Sequence, residues 1–274
     1  MTTATAPTSD DATAYVPLAR RASMWHDFAT IAHRAIRGVF REPEFFIPAL
    51  ITPVFFFVVI VGALQDSAQG SGTVTDFKAF QLPVAIIFAV TGVSRATALV
   101  TDIQSGYFDR LLLTPIRRPM LLLGLMAADV VSVILLTIPV LALGLVLGIS
   151  FESGIVGMLV FLLYGATWGL AFAGFPYAIA LKTGNPAAVN ASFVLFFPFA
   201  FLTTTFLPKE ALTGWLSTVS IYNPVTYVLG GLRSLISDGW RTDLLVQGFA
   251  ASLGLMVISF GLASLAMRGR INRG

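Results

Sequence analysis

The chain reads as an all-α integral membrane protein with six transmembrane helices, and three observations predict that class. Hydrophobic residues make up 56% of the 274 and charged residues only 11%, whereas about a quarter of a soluble domain is charged. Mean hydropathy is correspondingly high, at +0.84. Apolar runs near the roughly 20 residues needed to cross the hydrocarbon layer as a helix fall over 45–64, 80–100, 120–149, 155–181, 187–207 and 244–267. A closed β-barrel would instead alternate in segments of about ten residues.

Residues 1–21 are rich in Thr, Ala and Asp and lack a basic stretch followed by an apolar core, so they read as a disordered cytoplasmic tail rather than a cleaved signal. One transmembrane domain is expected over 22–274. It opens with an interfacial helix over 25–41, where Trp25, Phe28, Ala32, Ala35, Ile36, Val39 and Phe40 form an apolar stripe. Asp27, His33, Arg34, Arg37 and Arg41 are expected on the other side, the arrangement of a helix lying on a membrane surface.

The segment 208–237 is membrane-loving but is not counted as a span. Asn223 and Pro224 divide it into two short amphipathic pieces, because proline disfavours helix in the residue before it and cannot donate within one. Neither piece crosses alone. Charge supports this reading: with six spans and a cytoplasmic N-terminus, twelve Lys and Arg fall in inner segments and four, Lys78, Lys209, Arg233 and Arg241, in outer ones, with Arg95 inside a span. That satisfies the positive-inside bias. A seventh span would put the basic C-terminal tail outside. The segment is therefore expected to be re-entrant, entering from the extracellular side and returning, with Leu212, Trp215, Asn223, Pro224, Tyr227 and Arg233 as its gate residues.

The inner loop 102–119 carries a short apolar helix over 107–113, too short to span and flanked by charge. Such a piece can project from the membrane as a knob. Arg95 and Asp129 are the charges set within spans, where each costs roughly 2.5–3.5 kcal/mol on insertion scales. Either they pair with each other, or one faces a pathway. Prolines at 48, 53, 83, 139, 176 and 198 permit kinks. Gly144/Gly148 and Gly165/Gly169 have the spacing for close helix contact, and the aromatic run 196–199 would line an apolar path or face lipid. Cysteine is absent and the two histidines, His26 and His33, stand far from any carboxylate cluster. No metal site and no catalytic constellation is expected.

Residues Asp102, Gly106, Asp109, Arg110, Leu111, Thr114, Pro115, Ile116 and Arg118, followed by Gly124, resemble the segment between the second and third spans of ABC-2 type transporter permeases. These are bacterial exporters of drugs, antibiotics, lipids and polysaccharides. Phe206, Pro208, Leu212, Trp215, Asn223-Pro224, Tyr227 and Leu232-Arg233 are similar to the late motif of the same family. The likeness covers nearly the whole chain and leans towards the daunorubicin-resistance subgroup. One departure is Thr213-Gly214, where the family often has a proline before the Trp.

The resemblance implies a transmembrane half-transporter in a bacterial plasma membrane, with both termini cytoplasmic. Two protomers, identical or paralogous, would surround a pathway for a hydrophobic or amphipathic compound, within membrane lipid and without nucleic acid. ATP and Mg would be bound by a separate ATP-binding cassette subunit. No lysine here follows glycine, as a phosphate-cradling Walker A loop would need, so this chain is expected to be the non-ATPase subunit. Tyr107, Phe108, Asp109, Arg110, Leu112, Thr114, Pro115, Arg117 and Arg118 would be the coupling residues, with Phe108 and Leu112 inserted into that subunit. Two alternatives stand beside a drug exporter: a polysaccharide or lipid-linked glycan permease of the same family, and a secondary transporter. The internal repeats that many secondary transporters contain are not evident.

Overall fold

The computed structural model describes residues 23–41, 43–70, 72, 74–114 and 118–271. The expected tail over 1–21, and Pro115 and Arg117 of the expected coupling loop, lie outside the described residues. What is described is mainly helical, with no strand. In chain order the α-helices are α1 (Met24–Arg41), α2 (Pro43–Gly70), α3 (Phe77–Thr91), α4 (Ala96–Gln104), α5 (Tyr107–Leu112) and α6 (Arg118–Val146). They continue as α7 (Gly154–Thr183), α8 (Pro186–Ala191), α9 (Phe196–Phe201), α10 (Gly214–Tyr222), α11 (Pro224–Ser237) and α12 (Thr242–Ile271).

Among the described residues, five stretches are long and apolar enough to cross a membrane: 46–70, 77–104, 120–146, 154–183 and 242–270. The fifth expected span, 187–207, is instead a 16-residue helical run over 186–201 with a 3₁₀ turn at Ser192–Leu195, followed by irregular chain. At 1.5 Å per residue that run extends about 24 Å. Its start is fixed by Asn185, whose side chain accepts from the Ala187 N–H at 2.9 Å, and by Pro186 in the first turn, where the missing donor costs nothing.

The second expected span, 80–100, is also not one helix. It is broken between Thr91 and Ala96, although Pro83, the residue that should have marked a break, lies within regular α3. The hydroxyl of Thr91 donates back to the Ile87 carbonyl at 2.6 Å, and Gly92 follows.

Helices α3, α6 and α7 form the buried centre, and α12 and α11 pack on α7. Close approach explains two of the glycines. A Cβ on Gly169 of α7 would stand 2.7 Å from Val133 of α6, and one on Gly144 of α6 would stand 2.8 Å from Leu82 of α3. The expected small-residue contacts therefore serve packing within one chain. The α6–α7 turn is joined to the end of α11: Glu152 and Ser153 donate their N–H groups to the Ile236 and Leu235 carbonyls. The ends of α7 and α12 meet at the opposite side of the bundle, near α4, where Gln104 donates to the Gly184 carbonyl at 3.0 Å. That end carries α1 and α5, and is called the basic end below.

Helix α1 buries Asp27, Ile31, Ala32 and Val39, with Gly124 of α6 beneath Ile31 and Ala32. This corrects the expected polar side, because Asp27 belongs to the packed face. Trp25 and Phe40 of the expected apolar stripe are 73% and 65% exposed. The helix thus has two faces of use, one on α6 and one open.

Candidate functional site

At the basic end, α5 is held by α1. Arg34 makes a two-pronged contact to Asp102, at 3.1 and 2.8 Å, and its guanidinium carbon lies 4.1 Å from the centre of the Tyr107 ring. The hydrogen bond to Asp102 raises the Arg34 pKa against a smaller opposing effect of burial, so the charge is permanent. Beneath this clasp a cavity of about 260 Å³ separates α1 from α5 and α6, with His26, Asp27 and Phe108 among its walls.

Phe108, expected to insert into a partner, is 1% exposed and belongs to the chain's own core with Leu121, Leu125 and Tyr177. The large apolar side chain presented there is Leu113, 88% exposed, on the residue that closes α5. Helical spacing accounts for this swap: with 3.6 residues per turn, a six-residue helix between Gly106 and Thr114 can seat Phe108 inward only by turning its end outward. Tyr107 is partly exposed, Asp109 and Arg110 are exposed, and Leu112 is half-buried. Gly106 has φ of +71°, a left-handed conformation that favours glycine.

A cleft of about 830 Å³ lies between α2, α3, α7 and the run 186–201. Eight phenylalanines line it, at 56, 57, 88, 172, 193, 197, 201 and 206, and no charged side chain does so among the described residues. A band of neutral polar groups runs along it from Thr97, Ser94 and Thr91 to Gln81 and Thr205. The aromatic run 196–199 is split by this geometry. Phe196 is fully buried in the core, while Phe197 is 40% exposed and faces the cleft.

At the far end, the irregular stretch after α9 has its carbonyls satisfied by side chains. Asn223 donates to Phe199 and Leu202 at 2.7 and 2.8 Å while its oxygen accepts from the Val225 N–H at 3.0 Å, capping α11. Arg233 donates to the Thr204 carbonyl and hydroxyl and to the Phe80 carbonyl, at 2.8, 3.1 and 3.1 Å. Its guanidinium also covers the Phe80 ring at 3.4 Å. Gln81 donates to the Thr205 carbonyl at 3.2 Å. Backbone without a helix survives in an apolar layer only when other groups satisfy it in this way. Pro224 starts α11, and the Tyr227 hydroxyl closes the turn on the Ile221 carbonyl at 2.6 Å. The two pieces differ: α11 is largely buried, with Leu232 and Ile236 in the core, whereas Trp215 and Tyr222 of α10 are 69% and 84% exposed. Leu212 is half-buried.

Arg95 and Asp129 do meet, but through the main chain. Asp129 Oδ1 accepts from the Arg95 N–H at 2.7 Å, and the Arg95 guanidinium runs against Gly38 of α1. Trp168 was not singled out by the sequence, yet its indole donates to the Thr91 hydroxyl at 2.8 Å. The only prior signal was a Trp in mid-span, since a buried indole N–H needs a partner.

A helical membrane protein with an uncharged aromatic cleft, a short helix held at its basic end and a folded-back helix pair at the other defines a membrane transport subunit. The chain belongs to the ABC-2 type transporter family, whose profile matches residues 26–236. It is similar to the daunorubicin resistance ABC transporter permease protein DrrB1 of Streptomyces coeruleorubidus, 27% identical over 256 residues, which are 88% of this chain and 85% of that protein. The Probable doxorubicin resistance ABC transporter permease protein DrrC of Mycobacterium tuberculosis is 23% identical over 216 residues, 77% of each chain. Membership implies association with ABC ATPase subunits. No group of three or more potential metal ligands occurs among the described residues.

Proposed function

We propose that this chain is the permease subunit of an ATP-driven exporter of hydrophobic or amphipathic aromatic compounds, and that its cleft is where such a compound is held. The observation that carries the substrate class is the cleft's composition, eight phenylalanines with a neutral polar band and no charge. Aromatic faces and a few hydroxyls suit a planar amphipathic molecule. A polysaccharide or a lipid-linked glycan would call for many polar partners. The names of the relatives, resistance permeases for daunorubicin and doxorubicin, favour the same class.

Six crossings and a re-entrant pair 208–237 remain our reading of the topology, with the basic end cytoplasmic. The run 186–201 and the pinned stretch after it would make the fifth crossing, with α10 and α11 capping the cleft's extracellular end. Docking to the ATPase would use α5, with Leu113 as the apolar anchor and Asp109 and Arg110 beside it. A second permease copy, identical or paralogous, would complete the pathway in the bacterial plasma membrane. ATP and Mg would be bound by the partner.

The test is transport by inside-out vesicles containing this chain and its ATPase subunits. ATP-dependent accumulation of daunorubicin is expected. Vesicles in which the ATPase is bound and active but daunorubicin and related aromatic amphiphiles do not accumulate would overturn the substrate class.

A further inference from the structure

The second crossing is interrupted where it passes the cleft, and the two sides of the interruption are held by different helices. On one side α3 ends at Thr91, whose hydroxyl is fixed to Trp168 of α7. On the other, α4 begins with the Arg95 N–H seated on Asp129 of α6. Between them Gly92, Val93 and Ser94 have no helical bond across the gap, and Ser94 caps α4 from within by accepting the Ala96 N–H at 3.2 Å. Gly92 and Ser94 line the cleft, and so do Thr91 and Thr97 on either side of them. Helix α4 then runs nine residues to Gly106 and α5.

We propose that residues 92–95 are the hinge by which α4 and α5 swing as one lever against the cleft wall, and that Asp129 is its positioning residue. The reading rests on α5 being the helix that contacts the ATPase. Two observations converge on Asp129. A fully buried carboxylate in an apolar span is costly, so it must be offset by a specific contact, and the contact found is to a helix start on a neighbouring element. Its second oxygen is buried as well, beside the buried hydroxyl of Tyr177. The Asp102 end of the lever is gripped by Arg34, so α4 is held at both ends.

Distances between paired spin labels test this in the full chain, which contains no cysteine. Labels on Leu113→Cys and Lys182→Cys, both exposed, report the lever against the end of α7. Labels on Leu159→Cys and Val257→Cys report the α7–α12 scaffold. Labelled chain is diluted with unlabelled chain in nanodiscs, so that only distances within one copy are read. Asp129→Leu is expected to broaden the lever distribution about twofold or more, as for an element released to hinge motion, with the scaffold distance unchanged. Asp129→Asn keeps an oxygen for the Arg95 N–H and is expected to restore the narrow distribution. An unchanged lever in Asp129→Leu overturns the proposal, and so does an Asn variant as broad as Leu, which would make charge rather than the cap decisive. Should Asp129→Leu move the scaffold pair too, Asp129 is a folding residue and the hinge assignment fails. No ATPase or substrate is present, so these outcomes are independent of whether the vesicles transport daunorubicin.

Discussion

Asn223 makes three hydrogen bonds with one side chain, two as donor and one as acceptor, and only an amide of that length can do so. Asn223→Ala leaves the Phe199 and Leu202 carbonyls without their partner, at about 1–3 kcal/mol for each buried group. The expected result is a clear fall in melting temperature of the detergent-solubilised chain. Asn223→Asp separates the two roles: it keeps the cap oxygen but replaces the donors with a second acceptor facing the same carbonyls. It should be no better than Ala, and a melting temperature equal to the parent's would show that the donors are unimportant. Phe108 and Leu113 form a second contrasting pair. Truncating the buried Phe108 to Ala should cost about 3–5 kcal/mol of stability and reduce the amount of folded protein. Leu113→Ala should leave folding intact yet reduce co-purification of the ATPase, since truncating an apolar anchor often removes 2 kcal/mol or more of an interface. If Leu113→Ala retains the ATPase in full, the contact lies elsewhere on α5.

Elements are where the sequence was most and least informative. The long helices were legible because apolar length alone specifies them: 154–183 and 242–271 overlap the expected 155–181 and 244–267 almost throughout. The turn at Asn223-Pro224 was legible for the same local reason, a proline that cannot extend the preceding helix. The break at residues 92–95 was not, because what ends α3 and starts α4 comes from Trp168 and Asp129, 77 and 34 residues away. Inward seating of Phe108 was hidden for a similar reason, since it depends on the α1 and α6 surfaces that receive it. Topology is tested at this scale. If 208–237 enters and leaves on one side, Lys209→Cys and Asp238→Cys, both at exposed positions, should each react with an impermeant thiol reagent added to intact cells. Reaction of only one would place them on opposite faces and remove both the re-entrant pair and the closure assigned to it. Trp215→Ala, on the open face of α10, should impair export while sparing ATPase association.

The cleft exists only at the scale of the whole molecule, because α2, α3, α7 and the run 186–201 each contribute a wall and no one of them forms a pocket. Two adjacent phenylalanines show how the assembled structure divides roles that the sequence leaves equal. Phe196 is fully buried and packs edge-on against Phe88 and Phe172, with ring centres 5.1 and 5.7 Å apart, so it holds walls together. Phe197 faces the open space and stacks on Phe201 at 5.8 Å with nearly parallel planes, presenting a flat pair to whatever enters. Phe197→Leu preserves the apolar character of the wall but loses the ring, and an aromatic contact is worth about 0.5–1.5 kcal/mol beyond its area. That corresponds to an expected rise in KM of roughly 2- to 10-fold for vesicle uptake of daunorubicin, with melting temperature and ATPase association unchanged. The same change at Phe196 should instead lower stability, because it reshapes a filled site. Equal uptake by Phe197→Leu and the parent would mean that the flat aromatic pair does not contact the transported compound, and would move the binding site away from this wall of the cleft.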